Sequence, residues 1–210
     1  MTITRQIQLG NKKVTLQLNK LAKQSNGSVL VSSGGTQVLV TACANKVADK
    51  NVDFLPLTIE YAERTYAAGR IPGGYNKREG RPSELQTLTA RVLDRPLRSC
   101  FPKNYHNDTV ITALVLSFES GHDPAPLALL GASCALTISD IPFEGPVASL
   151  RVGMKDGQFI IDPSEKETQE LDLNIAGKKD SIVMVEAGAQ FIDDEKMLEA
   201  IEFAHKQMHP

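Results

Sequence analysis

The sequence predicts an α+β fold in which helices pack on mostly antiparallel sheets. Three observations carry this prediction. Segments of alternating apolar and polar residues recur near both ends of the chain and are typical of half-buried strands. Tight turns such as Gly34–Gly35 and Lys155–Gly157 join several of these segments, as in β-hairpins. Three segments with helical spacing interrupt the strands without alternating regularly with them, which favours α+β over α/β.

The composition is that of an ordinary globular protein. Of 210 residues, 41% are hydrophobic and 23% are charged, and 23 basic against 25 acidic side chains give a formal net charge of −2. This balance excludes a polybasic protein that coats nucleic acid through bulk charge. The N-terminal segment has no long apolar run, so we expect neither a signal peptide nor a membrane span. The odd, scattered cysteines favour reduced thiols, a cytoplasmic location and no zinc site; they are Cys43, Cys100 and Cys134.

The first sixty residues are predicted to form strands. Apolar residues alternate with polar ones over residues 3–9 and 14–18. Two Val-Leu-Val runs flank Gly34–Gly35 and indicate a β-hairpin. A further strand is predicted over residues 55–61.

Residues 63–82 fit neither a strand nor a helix. Prolines and glycines surround a cluster of one tyrosine and several basic residues, and no apolar face can be drawn through the segment. We therefore predict a long surface loop, and such loops within compact domains tend to be functional or disordered.

Three helices are predicted after the loop. The first begins after Ser83, which stands three residues before Gln86 as in a capping box, and Pro96 is expected to end or kink it. Its predicted apolar face comprises Leu85, Leu88, Val92 and Leu93.

A strand over residues 109–118 leads to the second helix, over 124–138, which is apolar on all sides as expected between two layers. Gly131 would allow a neighbour to approach this helix closely. A hairpin at Lys178–Asp180 and a final amphipathic helix near Asp193 follow. The predicted buried face of the final helix comprises Met197, Leu198, Ile201, Ala204 and Met208.

Basic residues are concentrated in and after the loop. Between residues 63 and 103, nine basic residues face four acidic ones, and seven of the nine are arginines, which suit bidentate phosphate contacts. Tyr75 beside Lys77 and Arg78 places a stacking ring next to phosphate donors, as in proteins that bind single-stranded nucleic acid. The alternative is a solvated loop whose arginines pair with acidic residues elsewhere.

No other residue pattern points strongly to a catalytic or metal site. His205 and His209 stand four residues apart, but no third ligand accompanies them, so we interpret them as a chance surface pair. Acidic residues cluster before residue 171 and could hold a metal, although we expect most of them to form a charged turn. Asp172 alternates with Leu171 and Leu173, so we expect it to face away from them, toward a cleft.

Three long segments resemble one enzyme family. They read KREGRPSELQTLTARVLDRPLRSCFP, LLGASCALTISDIPFEGPVASLRVG and LDLNIAGKKDSIVMVEAGA. Over about residues 5–207 the chain is similar to the first of two RNase PH-like cores in polynucleotide phosphorylases (polyribonucleotide nucleotidyltransferases). These enzymes degrade RNA from its 3′ end with inorganic phosphate. The resemblance implies one RNase PH-like domain over residues 1–210. In the family a helical linker, a second core, and KH and cold-shock-like domains follow, and we expect them to be absent from this sequence.

The resemblance also implies partners and cofactors. We expect single-stranded RNA as the ligand, a homotrimeric ring in the whole enzyme, and neither a membrane nor DNA as partner. Mg²⁺ and the co-substrate phosphate are expected at the second core, so this core should hold no cofactor, no metal and no catalytic residue. Of the family's D-x5-D-x-K metal motif only Asp172 matches, because Lys166 and Asn174 occupy the other two positions. The phosphate-loop segment ESGHDPAPLA lacks the family's serine pair.

The contribution of this core, by resemblance, is an RNA-contacting loop. In the family, two phenylalanines and two basic residues precede EGRPSE, whereas this sequence has Tyr75, Asn76, Lys77 and Arg78 there. One ring and both charges are kept, and Asn76 removes the second ring. Tyr75, Lys77 and Arg78 are therefore the predicted RNA-binding residues. Arg81 is a further candidate, whose alternative role is to brace the loop.

The sequence is compatible with three functional hypotheses. The first is a non-catalytic core that guides RNA and builds the ring. The second is a free-standing RNase PH-type phosphorolytic exoribonuclease, against which Asn174 and the missing serines argue. The third is an interaction scaffold without RNA contact. Arg91, Arg95 and Arg98 either line the RNA channel or form structural ion pairs.

Overall fold

A computed structural model describes residues 3–9, 12–48, 52–164 and 167–208. In this part of the chain ten strands form two sheets, and three α-helices pack against them. The strands of the first sheet are β1 (Ile3–Leu9), β2 (Lys12–Leu18), β3 (Gly27–Ser33), β4 (Thr36–Ala44), β5 (Leu57–Glu63) and β6 (Thr109–Ser117). Those of the second are β7 (Ala148–Lys155), β8 (Gln158–Ile161), β9 (Leu171–Lys178) and β10 (Ser181–Ala189). The helices are α1 (Glu84–Arg98), α2 (Pro124–Thr137) and α3 (Asp194–Gln207).

The first sheet has the strand order β1-β2-β3-β4-β6-β5 and is antiparallel except between β5 and β6. The predicted hairpin at Gly34–Gly35 is confirmed: Val29 pairs with Val40, and Gly34 adopts a positive φ of 55° in the turn. Strand β5 begins at Leu57 rather than at residue 55, because Pro56 has no N–H with which to join the ladder.

The second sheet has the order β10-β9-β7-β8 and is fully antiparallel. Alternate residues of β7 and β9 face opposite sides. Leu150 and Leu173 belong to a small core against α3, whereas Ala176 belongs to the larger core around α2. The larger core therefore includes residues from both sheets and joins them.

Helix α2 packs between the two sheets, as its apolar sequence predicts. It contacts β3, β4 and β6 on one side and β7 on the other, and nine of its fourteen residues are buried. The buried hydroxyl of Ser133 accepts a hydrogen bond of 2.7 Å from the backbone N–H of Val147. At Gly131 a Cβ atom would lie 2.6 Å from Val40 and 2.9 Å from Val31, which confirms the predicted close approach.

The buried face of α1 differs from the prediction. Leu93 and Leu97 are buried, but Leu85 is 63% exposed and Leu88 is also exposed. Only the C-terminal half of the helix reaches the core, so its first turns extend beyond the packed layers. The helix continues through Pro96 to Arg98, so Pro96 does not end it.

The buried face of α3 is shifted relative to the prediction. Ala200 and Ala204 are fully buried, and Phe203 packs with its ring 5.5 Å from that of Phe159. Leu198 is 61% exposed, so its assignment to the buried face is wrong. At about 100° per residue, Leu198 lies about 160° around the helix from Ala200, on nearly the opposite side.

None of the helices formed by the described residues combines the length and the apolar character needed to cross a bilayer.

We predict that Gly131→Ala destabilises the protein by about 1–3 kcal/mol, because the added methyl group overpacks the contact with Val31 and Val40. Urea denaturation would measure the loss. The matched control is Gly188→Ala, where a Cβ atom meets no neighbour within 4 Å. Equal stability of Gly131→Ala and the native chain would show that the helix can move away from β4 without cost.

Candidate nucleic-acid interface

The predicted loop of residues 63–82 is more ordered than the sequence suggested. Glu63 ends β5, and Thr65–Ala68 form a short 3₁₀ helix that ends at Gly69 with a positive φ of 67°. The backbone N–H of Phe118 donates to the carbonyl of Ala67 at 3.0 Å, which attaches this helix to the end of β6. The prediction of a continuous irregular loop is therefore wrong for its first residues.

Glu79 closes the rest of the loop. Its Oε1 accepts hydrogen bonds from the hydroxyl of Thr65 at 2.6 Å and from the backbone N–H of Thr65 at 2.8 Å. These bonds, the hydroxyl bond first, lower the pKa of Glu79, and the nearby charge of Arg64 lowers it further. The residues between Thr65 and Glu79 thus form a surface loop with joined ends.

The tip of this loop carries the predicted RNA-binding residues. Tyr75 is 100% exposed, and Lys77 and Arg78 are exposed beside it. The backbone N–H of Lys77 donates to Gly74 at 3.0 Å, and Lys77 adopts a positive φ of 49°, so the tip is a tight turn. Arg81 is exposed too but lies beyond Glu79, next to the start of α1. Tyr75, Lys77 and Arg78 are therefore exposed together at the tip, and Arg81 follows Glu79 in the chain.

The start of α1 fixes the far end of the loop. Ser83 caps the helix by accepting a hydrogen bond of 3.2 Å from the N–H of Gln86, as predicted. The side chain of Gln86 donates to the carbonyl of Glu63 at 3.3 Å instead of returning to Ser83, so only half of the capping box forms.

A cleft of about 1050 Å³ opens near the base of the loop. Residues from β2, the 3₁₀ helix, the start of α1, the β6–α2 connection, β7 and the segment after β8 line it. The segment ESGHDPAPLA contributes its residues 120–124 to one wall. Sequence reasoning missed the cleft, because its walls come from segments far apart in the chain.

Asp172 is held by a guanidinium group. Arg151 donates from Nε to Oδ1 at 2.8 Å and from Nη2 to Oδ2 at 2.9 Å, a bidentate pair, and its Nη1 lies 3.5 Å from Asp123. The hydrogen bond with Asp172 raises the pKa of Arg151. Asp172 faces away from the buried Leu171 and Leu173, as predicted, and its oxygens are engaged with Arg151, which lines the cleft.

The other acidic residues do not converge on a metal site. Asp162 accepts from Lys12, and Glu167 accepts from the N–H and hydroxyl of Ser164. Lys166, at the family's first aspartate position, lies outside the described residues. In the described ranges no group of three or more His, Cys, Asp or Glu side chains is placed to hold a metal ion.

The other residues considered for a site include a histidine, an arginine and a cysteine whose contacts indicate structural roles. His205 lies 3.1 Å from the carbonyl of Lys178, and His209 is outside the described residues. Arg98 pairs with Asp94 at 2.7 Å and donates to two carbonyls of the segment around β5, which assigns it a structural role. Burial raises the pKa of Cys134 to about 11, so its thiol stays protonated at neutral pH.

We predict that Glu79→Gln loosens the loop without changing global stability, because the carboxylate clamp lies on the surface. Amide exchange should accelerate in residues 70–78, and Glu202→Gln on the exposed face of α3 is the control. A lowered pKa means that the clamp is complete above the ordinary value of 4.5 and is lost as the pH falls through the lowered value. Protection of the native loop, measured relative to the intrinsic exchange rate at each pH, that does not fall with acidification would contradict the clamp.

We predict that Asp172→Asn lowers the free energy of unfolding by about 1–3 kcal/mol, because it breaks a charged, bidentate hydrogen bond. Asp180→Asn, in the exposed turn after β9, is the control for urea denaturation. Millimolar Mg²⁺ should leave the native midpoint unchanged. If Mg²⁺ stabilises the native chain and Asp172→Asn abolishes that effect, Asp172 is a metal ligand and not a structural partner of Arg151.

The comparisons with known proteins agree with this structure. Residues 10–142 match domain 1 of the 3′ exoribonuclease family, and residues 145–207 match domain 2. The chain is 49% identical over 207 residues to a polyribonucleotide nucleotidyltransferase of Geotalea uraniireducens, covering 98% of this chain and 30% of that protein. It is 51% identical over 199 residues to one of Trichlorobacter lovleyi, covering 94% and 28%. The chain thus spans less than a third of the length of these relatives.

Two solved structures share the fold. Rice Rrp46 matches with a TM-score of 0.69 at 17% identity, covering 93% of this chain and 88% of that one. An Archaeoglobus fulgidus exosome with RNA bound to its active site matches with a TM-score of 0.74 at 19% identity, covering 93% and 85%. The predicted RNase PH-like fold is confirmed. On the evidence of both family domains and of relatives that are half identical, this chain belongs to the 3′ exoribonuclease family.

Proposed function

We propose that this chain is the first, non-catalytic RNase PH-like core of a polyribonucleotide nucleotidyltransferase and that it binds and guides single-stranded RNA. The observation that carries the proposal is the tip of the clamped loop, where Tyr75, Lys77 and Arg78 are fully available to a ligand. An exposed ring beside two cations that form no ion pair with the described residues combines base stacking with phosphate contacts, which suits a flexible single strand of any sequence.

The cleft supports a guiding role over a catalytic one. Phosphorolysis in this family is expected to need carboxylates that hold Mg²⁺, and Asp172 is engaged by Arg151 instead. The alternative of a free-standing phosphorolytic exoribonuclease would need that carboxylate free. RNA as the ligand is supported by the relatives' names and by the exosome of similar fold that holds RNA.

The proposal extends to the whole enzyme. Residues 1–210 form one RNase PH-like domain, and a helical linker, a second core, and KH and cold-shock-like domains follow it. Three chains build a ring in the cytoplasm, and Mg²⁺ and inorganic phosphate act at the second core during 3′-to-5′ degradation of RNA. These statements are part of the proposal, which the names of the relatives support for the enzyme as a whole; this chain covers about 30% of their length.

We predict that the double variant Lys77→Ala/Arg78→Ala loses most of its affinity for single-stranded RNA. Two phosphate contacts at about 0.7 each would lower the slope of log K against log salt by about 1.4. Tyr75→Ala should weaken binding by about 1–3 kcal/mol through the lost stack. Fluorescence anisotropy with a labelled oligonucleotide measures both.

The matched control is Lys178→Ala/Lys179→Ala, which removes an adjacent basic pair from the β9–β10 turn of the second sheet. Equal affinity of the two double variants would indicate either binding elsewhere or an interaction scaffold without a specific RNA contact, and would contradict the proposal.

A further inference from the structure

Phe118 presents an apolar surface to the cleft. It follows the last residue of β6, and its side chain is 49% exposed, whereas Ala113 and Val115 of the same strand are buried. Its hydrogen bond to Ala67 fixes its backbone at the cleft wall. The hydrophobic cores do not use this ring, although most large apolar side chains of β6 are buried in them.

Two arginines flank the segment that Phe118 contacts. Arg64 precedes the 3₁₀ helix and Arg70 follows it, so each lies three residues from Ala67. Both side chains are exposed, and both line the cleft. The ion pairs among the described residues include neither of them.

The acidic residues of the cleft are engaged with other partners. Each accepts a hydrogen bond from a neighbouring side chain, and none of the four forms an ion pair with Arg64 or Arg70. The bonds run from Lys12 to Asp162, from Arg151 to Asp123, from Ser164 to Glu167 and from Tyr61 to Glu63. Outside the cleft, the charge of Arg64 also acts on Glu79. A guanidinium group without a carboxylate partner is well suited to phosphate.

We propose that this wall of the cleft is a second subsite for single-stranded RNA, in which Phe118 stacks on a base and Arg64 and Arg70 hold phosphates beside it. The inference rests on the proposed function, since the loop tip brings the strand to this face. Asn76 leaves the tip with one ring, Tyr75, and Phe118 supplies the second stacking surface from another part of the chain. A cleft of about 1050 Å³ has room for more than one nucleotide.

The test compares ring variants in the complete chain. Phe118→Ala should lower the affinity for a labelled oligouridylate of about a dozen nucleotides by at least fivefold, in the range of one lost base stack. Phe118→Tyr keeps a ring and should bind like the native chain. Phe191→Ala removes a fully exposed phenylalanine beyond β10 and is the matched control. Arg70→Ala should lower the salt slope by about 0.7.

A second readout locates the strand. RNA containing 4-thiouridine should form photo-crosslinks to the peptide that contains Phe118 as well as to the loop tip. Unchanged affinity of Phe118→Ala, or crosslinks at the tip alone, would overturn the subsite. If Lys77→Ala/Arg78→Ala still weakened binding in that case, the proposed function would stand. If the native chain bound no RNA, both would fail.

Discussion

Burial of α2 between the two sheets is the constraint on which the rest of the structure depends. The helix is apolar on every side, so it has no stable position at a surface, and Gly131 lets it approach β3 and β4 closely. Ser133 inside the helix satisfies the backbone of Val147, where the chain enters the second sheet. Asp123, the residue that caps the helix, also faces Arg151 of that sheet. The helix that completes the core therefore also places one wall of the cleft.

Charged residues are arranged differently in two parts of the surface, the cleft and the loop tip with the wall near Phe118. At the cleft, Lys12 of β2 binds Asp162, which follows β8, and this pair links the first sheet to the second. Arg151 binds Asp172 on the neighbouring strand β9 of its own sheet. At the loop tip and along the wall near Phe118, the exposed cations take part in none of the ion pairs formed among the described residues. The loop also contains an acidic residue, Glu79. Its carboxylate accepts two hydrogen bonds from Thr65, and these bonds close the loop. Anion binding without metal-dependent chemistry is what such an arrangement favours.

Local sequence patterns predicted the features that depend on residues close together in the chain. The hairpin at Gly34, the buried α2 and the exposed aromatic–basic loop all follow from turn chemistry, apolar content and charge. Leu85 and Leu198 were misplaced, because periodicity tells which residues share a helix face but not where the packed layers end. The clamp between Thr65 and Glu79 and the position of Phe118 beside Arg64 and Arg70 depend on tertiary contacts. The sequence pattern placed Phe118 inside a strand over residues 109–118, and nothing in it indicated that the ring would stay outside the core.

The most direct test of a guiding, non-catalytic core is to incubate the chain with end-labelled single-stranded RNA, inorganic phosphate and Mg²⁺, and to follow retention and length of the strand together. The account predicts that RNA is retained, that retention weakens as salt rises, and that the strand keeps its full length. Phosphate-dependent shortening that persists through stringent purification would contradict it. The pairing of Arg151 with Asp172 would then have to open during the reaction, and the cleft would be an active site.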